Sequence, residues 1–124
     1  MLTLLNIGNT HVGSARCDGA EFRLCGVAGT AEFDPAGLPP EDRIAVASVV
    51  PELSRRIAAL RPDAFFLSAA TSSGLLDFSR VDPSTLGADR IANAIAAAEF
   101  HPLPAMVIDC GSAITIELID TGRR

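Results

Sequence analysis

The chain has 124 residues, 48% of them hydrophobic, with no Trp, no Tyr and a formal net charge of −5. That length sets one small domain, or one domain with part of another, whose core must be filled by Leu, Ile, Val and Ala. The acidic balance and the lack of any basic run argue against a binder of nucleic-acid backbone, which needs cations to displace counterions.

Met1 to Ile7 is a short apolar run that predicts a buried strand, broken by the turn residues Gly8-Asn9-Thr10. It carries no basic leader and is too short to span a membrane. His11 to Cys17 predicts a second strand, Asp18-Gly19 a hairpin turn and Glu21 to Val27 a third strand, so the chain opens as a meander. Gly29 to Asp42, rich in Gly, Pro and acid, reads as a loop. Arg43 to Val50 predicts a buried strand, and Pro51 then opens a helix whose apolar face holds Leu53, Ile57 and Leu60. Ala64 to Leu67 is a further short strand and Ser68 to Ser84 a polar loop. Both helices are expected to lie against one mixed sheet.

The stretch Leu86-Gly87-Ala88-Asp89-Arg90 reads as a tight turn entering a helix that runs to Phe100, with Ile91 and Ile95 on one face. Ser84 or Thr85 is available to cap it, and Gly87 would let backbone come close to a ligand. Asp89 falls in the first turn, where the helix dipole favours negative charge. It either stabilises the helix start, with Arg90 as surface partner, or accepts a proton from a bound hydroxyl. His101-Pro102-Leu103-Pro104 ends the helix. Ala105 to Ile108 predicts a strand, Asp109-Cys110-Gly111-Ser112 a turn and Ala113 to Ile119 a last strand.

Two turns echo each other: Asn6-Ile7-Gly8-Asn9-Thr10 and Asp109-Cys110-Gly111-Ser112-Ala113 both place a polar residue, a Gly and small polar residues between strands. They are either ordinary hairpins or paired turns whose N–H groups face phosphate oxygens. Cys17, Cys25 and Cys110 form no C-x-x-C pair, and His11 and His101 stand alone. A disulfide framework or zinc site is therefore not expected, and a cytoplasmic setting fits.

Together, Asn6-Ile7-Gly8-Asn9-Thr10-His11, Ala47-Ser48-Val49-Val50-Pro51, Gly87-Ala88-Asp89-Arg90 and Asp109-Cys110-Gly111-Ser112-Ala113-Ile114-Thr115 resemble the type III pantothenate kinase family, of the actin/sugar-kinase/Hsp70-like fold. The resemblance implies an α/β fold with a mixed, ribonuclease H-like sheet. It implies a first actin-like lobe over 1–104 and the opening hairpin of an incomplete second lobe over 105–124. It further implies ATP-dependent phosphorylation of pantothenate, the first step towards coenzyme A, with ATP bound as its Mg²⁺ complex. On this pattern Asn6, Ile7, Gly8, Asn9, Thr10, His11, Val12 and Gly13 form the ATP-phosphate loop, and Ser112 touches ATP from the second hairpin. Gly87, Ala88, Asp89 and Arg90 bind pantothenate, with Asp89 as catalytic base, and Asp109 holds a monovalent cation, K⁺ or NH₄⁺.

Three departures matter. The family's first loop usually opens with Asp where this chain has Asn6, and its Thr is here Ser112. The loop before Pro83 lacks the tyrosine often found there. The chain is also short for a two-lobed kinase, so a homodimer or a partner chain is expected to complete the fold, and little activity is expected of the chain alone. Two other functions stand beside this one: a non-catalytic binding or regulatory relative, and a kinase of the same fold acting on another small substrate.

Overall fold

The computed structural model describes residues 1–124, which form two compact units, 1–66 and 67–124. In the first unit the strands are β1 (Leu2–Ile7), β2 (His11–Cys17), β3 (Phe22–Gly29), β4 (Arg43–Ser48) and β5 (Phe65–Phe66), in the sheet order β3-β2-β1-β4-β5. The first three make the antiparallel meander, with β1 and β2 in register from Leu2–Cys17 to Ile7–Val12. Gly19 in the second turn has a φ of +96°, a left-handed backbone that strains any residue with a Cβ. β4 returns parallel to β1, and β5 lies parallel to β4. The α/β class with a mixed sheet is therefore the architecture of the chain.

Parallel strands need a crossover, and the helix α1 (Pro51–Leu60) supplies it between β4 and β5. Pro51 occupies the start of the helix, where its missing N–H costs nothing. Ser48 Oγ braces the entry by accepting from the Val50 N–H at 3.1 Å and from Ser54 Oγ at 2.8 Å. Leu53 and Ile57, four residues apart, bury against Leu5, Ile7, Val12, Ile44 and Val46. Leu60, expected on the same face, is exposed; as the final helical residue it lies past the buried cluster.

The 29–42 segment is a loop with two short 3-10 turns, and its last residue is a structural anchor that the sequence does not announce. Asp42 is only 2% exposed. Its carboxylate takes a forked pair of hydrogen bonds from Arg16, Nε to Oδ2 and Nη2 to Oδ1, both 2.8 Å, and a third from Thr3 Oγ1 at 2.7 Å. Arg61, at the end of α1, donates to the Asp42 carbonyl. One residue thus ties β1, β2 and α1 together. The hydrogen bonds from Arg16 and Thr3 hold the Asp42 carboxyl at about 2, below its ordinary 3.8. A lowered folded-state value contributes stability above pH ~4 that disappears as pH falls towards 2. Acid unfolding of the 1–66 unit is therefore expected to set in across that window. Asp42→Asn should be less stable at pH 7 and show a flatter acid limb by circular dichroism; an unchanged acid limb would contradict this role.

In the second unit, α2 (Ala88–Phe100) covers one face of a two-stranded ribbon, β6 (Ala105–Cys110) and β7 (Ile114–Ile119). The strands pair antiparallel from Ala105–Ile119 to Cys110–Ile114. Ile91, Ala97 and Ala98 of α2 form a core with Leu76 and Ile119, and Ala105 and Val107 pack against it. Three expectations change here. The sequence reading set α2 against the first sheet, whereas its apolar side meets the ribbon, whose inward Ala105, Val107 and Ile119 offer the matching surface. Neither Ser84 nor Thr85 caps α2. Its N-cap is Gly87, in an extended conformation that any residue adopts (φ −67°, ψ 153°), because Ser84 and Thr85 are engaged in a separate 3-10 turn capped by Asp82. Asp109 lies within β6 rather than in the turn, since strand pairing runs on to Cys110. No helix is long and apolar enough to cross a membrane.

Candidate functional site

The first turn is set by backbone. Gly8 N–H donates to the His11 carbonyl at 2.9 Å, Thr30 N–H to the Thr10 carbonyl at 2.9 Å, and Thr30 Oγ1 to the Gly8 carbonyl at 2.7 Å. The Gly8 N–H thus closes the turn itself, so within this loop it is not among the donors open to a phosphate. A Cβ on Gly8 would approach the His11 carbonyl to 3.3 Å, a tight contact that the turn could relieve only by shifting a few tenths of an ångström. Ile7 and Val12 are core side chains, 0% and 1% exposed, and can contribute to a ligand only through backbone. Asn6, Asn9, Thr10 and His11 are exposed, and Gly13 pairs with Asn6 across the strands. Asn6 therefore stands at the exposed end of β1 with an amide where a carboxylate would carry charge.

The second unit gathers the other candidates along the seam between α2 and the ribbon. Asp89 is half-buried in the first helical turn, and its Oδ1 accepts from the Arg90 N–H at 2.9 Å. The Arg90 guanidinium reaches β7: its Nε pairs with Glu117 and its Nη2 donates to the Ile116 carbonyl at 3.3 Å. One helical turn after Asp89, Asn93 donates its amide to Asp109 Oδ2 at 3.0 Å. Ser112 lies in the exposed β6–β7 turn, which the Gly111 N–H closes on the Ala113 carbonyl at 3.1 Å. Gly111 closes its turn on the residue two ahead, whereas Gly8 reaches the residue three ahead, so the sequence echo is only a loose echo of backbone geometry.

Two members of this seam escape a reading of the sequence alone. Asn93 carries a weak signal, sitting at i+4 from Asp89 on a helix. Glu117 carries none that points inward: it alternates with Ile116 and Leu118, a pattern that in an exposed ribbon would put the charge outside. The ribbon is instead turned the other way. Glu117 is 8% exposed while Ile116 and Leu118 face out, and its Oε2 has no hydrogen-bond partner. Beside it lies a cavity of about 240 Å³ with Leu76, Phe78, Val81, Leu86 and Ile91 on its walls and Arg90 at its rim.

Hard monovalent cations take several oxygen donors. Asp109 offers one carboxylate whose Oδ2 is oriented by Asn93, and no group of three or more His, Cys, Asp or Glu side chains gathers anywhere in the chain. Asp109 thus fits as one donor of an oxygen-rich site. The remaining donors would have to be carbonyls, water or the phosphates of a ligand.

Comparison with known proteins gives the family. The family model described as type III pantothenate kinase matches residues 2–124. The chain is similar to the type III pantothenate kinase of Rubrobacter xylanophilus, 34% identical over 142 aligned residues, covering 98% of this chain and 54% of the relative. It is also similar to those of Thermomicrobium roseum (32%, covering 97% and 54%) and Legionella pneumophila (33%, covering 93% and 53%). The chain spans about half the length of the curated relatives it matches. By the match along nearly all of its length, the chain belongs to the type III pantothenate kinase family.

Proposed function

We propose that the chain contributes to an ATP-dependent phosphotransferase acting on the hydroxyl of pantothenate, in the cytoplasm and on the route to coenzyme A. In this reading residues 1–104 stand for the first lobe and 105–124 for the opening hairpin of the second. Asn6 to Gly13 and Ser112 face ATP with its Mg²⁺, Gly87 to Arg90 face pantothenate, and Asp109 faces K⁺ or NH₄⁺. The observation that carries it is the first turn of α2, where Asp89 is held half-buried beside Arg90 while Asn93, one turn on, engages Asp109.

The chemistry asked of these residues is modest. Phosphoryl transfer passes through a loose transition state, so orientation and charge neutralisation outweigh base strength. Asp89 would orient the hydroxyl and take its proton as the new oxygen–phosphorus bond forms and the bond to the departing ADP oxygen breaks. The bound cations would supply charge neutralisation at the phosphates. Asn6 lowers what the first loop adds to that term, since a neutral amide stabilises a cation less than a carboxylate does. This substitution also favours a second reading, a binding or regulatory relative that does not turn over.

Completion of the fold would come from a second copy of the chain or from a separate polypeptide. The purified chain alone is expected to phosphorylate pantothenate little or not at all, because positioning is a large part of the rate and part of the positioning wall is missing. Supplied with a polypeptide matching the unmatched half of the Rubrobacter relative, it should gain ATP-dependent pantothenate phosphorylation, and Asp89→Asn should abolish the gain. A folded, stable two-chain assembly with no turnover would leave only the non-catalytic reading. Strong turnover by the chain alone would show that the missing wall is not needed.

A further inference from the structure

Thr30, which directly follows β3, holds the tip of the first turn on both sides of Asn9. Its N–H donates to the Thr10 carbonyl at 2.9 Å and its Oγ1 to the Gly8 carbonyl at 2.7 Å. Asn9, between those two carbonyls, is exposed. The bond from the N–H prolongs the β2–β3 ladder past the His11–Gly29 pair, and any residue but proline would make it. The bond from Oγ1 needs the side-chain hydroxyl.

That second bond fixes a peptide plane. The 8–9 peptide is trans, so its C=O and its N–H point in opposite directions. With the Gly8 carbonyl turned onto Thr30, the Asn9 N–H is turned away from it. No acceptor within the chain takes that N–H, whereas the neighbouring Gly8 N–H is occupied by the His11 carbonyl. Gly8 adds little steric restraint of its own, because it lacks a Cβ. One donor therefore closes the turn, and the next is held outward by a hydroxyl from the far end of β3.

We propose that Thr30 is a positioning residue of the phosphate-facing turn: by holding the Gly8 carbonyl, its hydroxyl aims the Asn9 N–H at a phosphate oxygen of the nucleotide. The proposal rests on the reading of Asn6 to Gly13 as the ATP-facing turn, and adds which donor serves there and what orients it. A pre-oriented N–H binds an anion better than a mobile one, since less freedom is lost on binding. The effect weighs more here because no Lys or Arg lies between Asn6 and Gly13 and Asn6 itself is uncharged.

Amide NMR of the isotope-labelled whole chain, titrated with magnesium tripolyphosphate, tests it. This probe asks for the phosphate turn and not for an adenosine pocket. In the parent the Asn9 amide should move downfield on binding, as an N–H that gains a charged acceptor does. The Gly8 amide, already bonded to a carbonyl, should move little. Thr30→Val removes the hydroxyl while keeping the branched shape and the backbone N–H. It should weaken tripolyphosphate binding roughly tenfold, on the order of one net hydrogen bond, and shrink the Asn9 shift. The ligand-free Asn9 amide should also become more mobile by heteronuclear NOE. Thr30→Ser, which restores the hydroxyl, should bring all three readings back near the parent's.

A hydroxyl that merely braced the loop would lower the urea midpoint in Thr30→Val and leave affinity and the Asn9 shift unchanged; that result would overturn the proposal. So would binding in which other amides of the turn move and Asn9 does not, or a Thr30→Ser variant as weak as Thr30→Val. If no amide from Asn6 to Gly13 responds in the parent, the ATP reading of the turn falls and this proposal with it. The parent titration thus separates failure of the reading from failure of the proposal, and it is independent of how well Thr30→Val folds.

Discussion

Arg90→Ala is expected to destabilise the 67–124 unit by about 3–5 kcal/mol, the usual cost of removing one partner from a buried ion pair. The guanidinium is the partner of Glu117 and also occupies the Ile116 carbonyl. Once it is gone, the Glu117 carboxylate stays buried beside an apolar cavity, with its Oε2 already unpartnered. Glu117→Ala should be milder, because Arg90 is about one-third exposed and can turn to water. The double change Arg90→Met with Glu117→Leu should recover most of the loss, since an apolar pair of similar volume carries no desolvation cost. Urea unfolding of the parent and the three variants gives these values. If Arg90→Ala cost less than Glu117→Ala, the pair would not be the buried link between α2 and β7. The result bears on function as well: loss of activity in Arg90→Ala would mix a lost ligand contact with a loosened helix, and the double variant separates the two.

Ile57→Ala should cost the 1–66 unit about 2–5 kcal/mol, from lost transfer free energy and the cavity left behind. Ile57 is 0% exposed and sits where α1 meets three strands, among Leu5, Ile7, Val12, Ile44 and Val46. Phe33 and Phe66 border the cluster, so how far their rings shift into the gap decides where in that range the loss falls. A domain of this size is typically stable by only about 5–15 kcal/mol, so the loss is a large share of the total and should lower the urea midpoint clearly. Leu60→Ala is the control: on the same helix, but exposed, it should change the urea midpoint little. Equal effects at the two positions would mean that α1 packs through a different face.

Much of the fold was legible because its elements carry local signals. The short runs in Met1 to Val27, broken by turn residues at Gly8 and Asp18-Gly19, specify a meander, and Pro51 and the Pro-rich stretch after Phe100 mark helix limits whatever they pack against. The family was legible as well, through four short segments in the right order. The position of Asp89 in a first helical turn also followed from sequence, since Gly87 and the helical periodicity after it are enough to place it.

What sequence could not decide is every feature that depends on which side of an element meets another. Asp42 reads as the end of a loop until Arg16, Thr3 and Arg61, distant in sequence, converge on it. The ribbon shows the same limit most sharply. Its residues alternate, but both alternating sets contain apolar side chains, so the pattern alone does not say which set faces inward. Packing against α2 decides it. Arg90 and Asn93 offer partners that only Glu117 and Asp109 can use, which turns the charged positions inward and leaves the purely apolar set outside. Periodicity is a property of one strand, whereas orientation is a property of the pair of surfaces that meet.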